Sequence, residues 1–405
     1  SVAIFGDTVV VGESNDGPND SGSAFVFIRD GLTWNLQQKL TASDSQSLDN
    51  FGISVAISNN TIVVGAYGDD DNGVESGSAY VFTRTSNIWT EQQKLLASDG
   101  STEDQFGKSV AISGNNIVIG SHLNDDNGDR SGSAYVFSYT ESTWTEEGKL
   151  TAIDGEIDDR FGQSVAISYE TIAIVAPNDD NENGFNSGSV YIFSYDGRTW
   201  LPHQKLVPND GGNYDLFGKS TAIAGNTLVV SALGDGDAQS GSAYVFSREN
   251  NIWLQEQKLT ASDSSMNDHF GVSVSIFRNT IVIGARNDDD DEIPLNELGV
   301  GQNSGSAYIF SRSGNTWNEQ QKIHAIDTGT SDNFGIAVDM SGGNIVVGAW
   351  KNNSNASSAG AAYVYPFPND SWGSPLYVIP AMGGIGLLAL GLSMLGLGAV
   401  RLRKK

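Results

Sequence analysis

The sequence predicts an all-β chain: a seven-bladed β-propeller of four-stranded antiparallel blades, followed by a C-terminal transmembrane helix. Three observations carry this. A unit of 53 to 64 residues occurs seven times. Each copy resolves into four short β-rich runs separated by turn residues. After the seventh copy the pattern gives way to 23 residues without charge, closed by a basic end.

The repeat is marked by Phe-Gly pairs at Phe51-Gly52, Phe106-Gly107, Phe161-Gly162, Phe217-Gly218, Phe270-Gly271 and Phe334-Gly335. Ser1–Ile4 matches the SVAI stretch that follows each pair, so the sequence opens just after the place of a seventh. Each copy reads as four runs, a to d. In the second they are SVAIS (Ser54–Ser58), TIVVGA (Thr61–Ala66), SGSAYVF (Ser76–Phe82) and a Trp segment ending in QKL (Trp89–Leu95). The a–b connections are tight, as at Asn59-Asn60 and Gly114-Asn115, and Asn and Gly tolerate the positive φ of two-residue hairpins. Runs b and c are apolar on both faces, as expected where blades stack. Run d is polar, so it should be the outer edge, where charge discourages edge pairing.

Two aromatic series recur. Trp34, Trp89, Trp144, Trp200, Trp253 and Trp317 share one position. A surface aromatic of this kind can bind sugar, but a repeated one reads better as a wedge between blades. The Phe of each Phe-Gly pair reads the same way, its Gly permitting close backbone approach.

The seventh copy has runs a, b and c but no QKL. Its only fourth-strand candidate is Trp372–Val378, which contains Pro375. Blade seven is therefore expected to be incomplete, with three good strands and a weak or absent fourth, a gap that a segment upstream of Ser1 would normally fill.

There is no cysteine, which excludes disulfides and thiolate chemistry. Acidic residues number 49 against 22 basic ones, for a net charge of −27. Such a body repels nucleic acid and anionic lipid. Strand direction puts the b–c and d–a loops on one face, and 36 of the 49 acidic residues lie in those loops. The excess charge is thus concentrated on one face. Oxygen-rich loops suit calcium, and the candidate ligands are Asp69, Asp71, Asp125, Asp126, Asp179, Asp180, Asp288 and Asp290. Asp69-Asp70-Asp71-Asn72-Gly73 lacks the alternating spacing of a standard calcium loop, so solvated loops are the competing reading. The histidines, His122, His203, His269 and His324, occupy unrelated repeat positions, so no catalytic constellation is expected.

Phe-Gly followed about fourteen residues later by Gly65-Ala66, Gly120-Ser121, Gly284-Ala285 or Gly348-Ala349 resembles the FG-GAP repeat of integrin α-subunit propellers and their bacterial relatives. The resemblance covers residues 1–365. It implies a propeller and a binding role. In the integrin-type repeat a calcium loop lies between runs a and b; here that connection is only Ser58-Asn59-Asn60-Thr61 or its equivalent, so those sites carry over to no position in this chain.

Residues 366–377 read as a linker. Val378 to Val400 is uncharged and long enough to span a bilayer. Arg401, Arg403, Lys404 and Lys405 follow, an arrangement that keeps the 401–405 tail cytoplasmic and the propeller outside. A Pro-containing motif (Ile379-Pro380-Ala381), an apolar helix and a basic end resemble the C-terminal sorting signals of Gram-negative bacteria of the PEP-CTERM and IPTL-CTERM kind. That resemblance implies recognition and removal during surface sorting, and a plain anchor is the competing reading. The leading expectation is a non-catalytic, extracytoplasmic propeller at the cell surface or outer envelope, mediating adhesion or binding a protein or polysaccharide. The alternatives are an enzyme with its site at the channel and a structural surface-layer component.

Overall fold

The computed structural model describes residues 1–17, 19–31, 33–236, 239–289, 302–327, 329–351, 360–366 and 377–380. Seven four-stranded antiparallel sheets follow one another in chain order, each with its strands in sequence order a-b-c-d. Blade 2 is representative: Ser54–Ser58, Thr61–Ala66, Ser78–Thr85 and Ile88–Leu95. Strands b and c are buried almost throughout, while strand d is largely half-buried or exposed.

The hydrophobic core is divided among the blade interfaces. Phe51, Val64, Tyr80, Phe82 and Trp89 of blade 2 pack with Val10, Val26 and Leu40 of blade 1. Equivalent clusters join each following pair. Ile4, Val9 and Phe27 of blade 1 pack with Val346 and Val364 of blade 7, which closes the ring.

The Phe-Gly motif follows from this stacking. Phe51 is fully buried, its ring edge-on to Tyr80 and Phe82 with centroids 5.4 and 6.0 Å away. Its backbone bridges to Gly22 of the preceding blade. Gly52 has φ of 95°, and a Cβ there would overlap the Ser23 carbonyl oxygen; one at Gly22 would overlap that of Phe51. Two backbones meet here at a distance only glycine allows. Between blades 7 and 1 the corresponding region is a cavity of about 310 Å³, lined in part by Gly12, Glu13, Gly348, Ala349 and Gly360.

The expectation for blade 7 is corrected. It has four strands: Phe334–Ser341, Asn344–Ala349, Ala361–Pro366 and Tyr377–Pro380. The last pairs antiparallel with the third, Tyr363 opposite Val378 and Ala361 opposite Pro380. Residues downstream of the repeats thus fill the outer position, and no upstream strand is required there. The open edge of Ala361–Pro366 offers ladder groups to any extended segment that reaches it, and proline stands only at the end of that segment. Most of the sequence-based candidate, Trp372–Leu376, lies outside the described residues, and the observed strand takes Val378 to Pro380 from the start of the apolar run. The remainder of that run and the basic tail, residues 381–405, also lie outside. Among the described residues no helix is long and apolar enough to cross a membrane.

Candidate binding face

The b–c and d–a loops lie together, as strand direction requires. Leu48 and Asn50 of the loop entering blade 2 donate backbone N–H bonds to Asn19 and Asp20 of the b–c loop of blade 1, at 2.8 and 3.1 Å. The same stitching recurs between later blades, as from Asp158 to Asp129 and from Tyr214 to Phe185.

Within this face the acidic residues are arranged around the protein's own lysines. In blade 2 the Lys94 ammonium sits 2.7 Å from Asp44, 2.8 Å from Asp69 and 2.7 Å from Asp71. The Tyr80 hydroxyl donates to Asp44 and Asp69 at 2.7 and 2.9 Å. Lys94 also lies over the Tyr80 ring, 5.2 Å from its centroid. Lys205 with Asp154, Asp179 and Tyr191 repeats the cluster in blade 4. Lys322 with Asp263, Asp288 and Tyr308 repeats it in blade 6. Blade 5 uses Lys258, Asp210, Asp235 and Tyr244. In blade 3, Asn124 takes the deep position and Lys149 pairs with Asp99 and Asp126.

Burial alone would raise the Asp44 and Asp154 carboxyls, but bonds from the lysine and tyrosine outweigh it and hold both below the usual range. Burial likewise opposes the charge on Lys94, yet its three carboxylates push its pKa up. A second series is satisfied differently. Asp49, Asp104, Asp159, Asp215, Asp268 and Asp332 are buried, each accepting a backbone N–H three residues earlier. Burial dominates for Asp159, whose pKa is raised to about 7, and for Asp268, raised to about 6.

The sequence-predicted metal ligands are therefore divided. Asp69, Asp179 and Asp288 form the buried floor of the lysine clusters, Asp71 reaches the same ammonium as Asp69, and Asp126 reaches Lys149, above Asn124. Asp125 and Asp180 instead accept the backbone N–H of Arg130 and Asn186, closing their loops. Asp290 lies outside the described residues. Calcium takes six to eight oxygens. These side chains do not fit that requirement, because an ammonium already holds the converging carboxylates. Among the described residues no group of three or more His, Cys, Asp or Glu is arranged to hold a metal ion.

Sequence reasoning missed the lysine, although the repeat carried its signal. The seventh copy lacks QKL and also lacks acid between Gly348 and Gly360: the lysine and its deep carboxylate are absent together. It also missed a blade-to-blade lock. The Gln38 side chain donates to the Trp89 carbonyl and accepts from the Trp89 N–H, at 2.7 and 2.9 Å. Gln93 with Trp144, Gln204 with Trp253 and Gln257 with Trp317 repeat this. The indoles of Trp89, Trp144, Trp200, Trp253 and Trp317 are buried between blades, and that of Trp34 is half-buried.

Near the channel, Asp339 on the inner strand of blade 7 accepts from the Ile4 N–H at 2.8 Å and from Ser275 at 2.9 Å. Blades 6, 7 and 1 are thereby tied by one carboxylate, at a position that is Ala in the first five copies and Ser275 in the sixth.

These features define a seven-bladed repeat propeller whose loop face is built on lysine–carboxylate clusters. The chain belongs to the FG-GAP repeat family, whose pattern matches residues 1–27, 34–82, 89–137, 144–193, 200–246, 253–310 and 317–365. Each full match begins at the Trp strand of one blade and ends in strand c of the next, so the sequence unit straddles the structural one. No protein of curated function matches the chain.

Proposed function

We propose that this chain is a non-catalytic binding module that works outside the cytoplasm, at the cell surface, held or sorted there through its C-terminal segment. The observation that carries the reading is the state of the loop face. Its reactive-looking carboxylates are engaged by lysine, tyrosine or backbone donors, which makes a rigid, strongly charged platform and leaves few groups for proton transfer. Three histidines support it. His203 contacts the Asn251 carbonyl, His269 faces Asn287, and buried His122 has no partner for Nδ1. None of the three is paired with a carboxylate that would tune a general base.

The partner class is a protein or polysaccharide of the envelope. The test applies the full chain to arrays of isolated envelope polysaccharides and envelope proteins, with hydrolase and lyase turnover assayed on the same samples. Saturable retention without turnover is expected. Turnover, or no retention above that of an unrelated protein of equal charge, overturns the reading.

A further inference from the structure

The basic residues of this acidic chain fall into two groups. Nine lysines and arginines, among them Lys94, Lys149, Lys205, Lys258 and Lys322, are ion-paired. The other nine described lysines and arginines have no ion-pair partner among the described residues, and four of them, Lys108, Arg160, Lys219 and Arg286, are singled out by position, although acidic residues outnumber basic ones more than twofold. They occupy related places in the repeat. Lys108 and Lys219 follow the Phe-Gly pairs of blades 3 and 5, and Arg160 precedes Phe161 of blade 4, between them. Arg286 and His122 directly follow strand b of blades 6 and 3. All five positions sit where an inner strand starts or strand b ends. That is the mouth of the channel, on the loop face and inside the acidic rim.

Two buried groups at this mouth lack partners. His122 is 6% exposed and its Nδ1 makes no hydrogen bond. The Arg160 Nε is likewise buried and unsatisfied. An orphaned buried polar atom is costly and calls for a specific explanation. The groups also sense one another. His122 is pushed down to about 3, first by burial and then by the charges of Lys108, Arg160 and Lys219. Lys219 is lowered by burial and by Lys108, Arg286 and Arg160. No carboxylate contributes to either shift. Lys108 is steadied by the Tyr67 ring, 4.7 Å from its centroid. Beyond Arg286 the cationic side continues into a hollow of about 360 Å³ lined by Asn287, Asn303, Asn333, Trp350 and Lys351.

We propose that the channel mouth is a binding site for a compact oxyanion, the phosphate or sulfate group of a larger partner, held by Lys108, Arg160, Lys219 and His122. Two ammonium groups supply charge, and the arginine fork and the imidazole supply directed donors. Together they match a tetrahedral dianion better than a lone carboxylate. The acidic rim excludes diffuse polyanions, so the bound group must project from its carrier. This deepens the binding-module reading by naming the chemistry recognised.

The test follows the melting of the full chain in inorganic phosphate or sulfate against chloride at matched ionic strength. Binding to the folded state should raise Tm saturably in phosphate or sulfate and not in chloride. The Lys108→Gln/Lys219→Gln variant should lose at least tenfold in apparent affinity. It should also melt higher than wild type in chloride, because mutual repulsion is relieved, a gain that a purely structural role would not give. Arg198→Gln, on the exposed c–d connection of blade 4 at the opposite face, likewise removes positive charge and should retain the oxyanion response. Equal responses to oxyanions and chloride, or an unchanged response in the double variant, overturn the proposal. If envelope partners are still retained in that case, the module reading stands and only the oxyanion site falls.

Discussion

Gly148→Gln should fasten blade 3 to blade 4. Gly148 stands opposite Val136, the register at which Gln93 stands opposite Val81 and Gln204 opposite Ile192. It is the place from which a glutamine would reach the backbone of Trp200. A Cβ built there meets nothing within 4 Å, and φ lies outside the left-handed region. Two hydrogen bonds contribute about 0.5–1.5 kcal/mol each. Removing a strand glycine adds about 0.5–1 kcal/mol. Ordering the glutamine side chain costs up to about 1.5 kcal/mol. The net is a stabilisation of about 1–2 kcal/mol, or roughly 1–3 °C in Tm for a ring of this size. Gln93→Ala should lose about 1–3 kcal/mol at the neighbouring interface by the same reasoning. Urea unfolding of both variants beside wild type measures this. If Gly148→Gln leaves the midpoint unchanged or lowers it, or if Gln93→Ala is silent, the lock contributes nothing net and the reasoning fails.

Two further expectations concern charge. Lys94→Met strands Asp69 without its cation and should cost about 3–5 kcal/mol. Because Asp44, Asp69 and Asp71 then converge on an empty centre, millimolar calcium should restore Tm in this variant while moving wild type little; calorimetry showing equal calcium effects on both would refute the cluster reading. Stability should also fall as pH rises from about 4 to about 7. Burial raises Asp159 to about 7 and Asp268 and Asp339 to about 6, so the folded state holds these protons more tightly than the unfolded chain. Their contribution is present at low pH and is lost through that window. The lowered carboxyls Asp44, Asp99, Asp154 and Asp263 oppose this only below the ordinary carboxylate range, while buried His122, pushed down to about 3, opposes it up to about pH 6.5 and is outweighed by the three acids together. A Tm that is flat or rises with pH would contradict the assignment, and Asp159→Asn should shrink the slope.

Six Phe-Gly pairs in seven phased copies, two largely apolar strands and a polar outer strand were enough, read in order, to define the blades, their number and the face that carries the acid. These features are local. Strand period, turn residues and glycines at forced backbone contacts act within one copy or between neighbours, and repetition states each of them several times. The partners of the acidic residues were a different matter. Lys94 is 23 residues beyond Asp71 and 50 beyond Asp44, and only the antiparallel return of strand d brings its ammonium among them. The sequence shows carboxylates in number; whether they hold calcium, water or a lysine depends on which side chain the fold delivers to them. Blade 7 went the same way, since a four-residue strand outside the repeat carries no periodic signal and is selected by an open edge within reach. The cations at the channel mouth are single substitutions in separate copies, at Lys108, Arg160, Lys219 and Arg286. A closed ring turns these positions, scattered over nearly half of the chain, toward a common axis, which is what the proposed oxyanion site rests on.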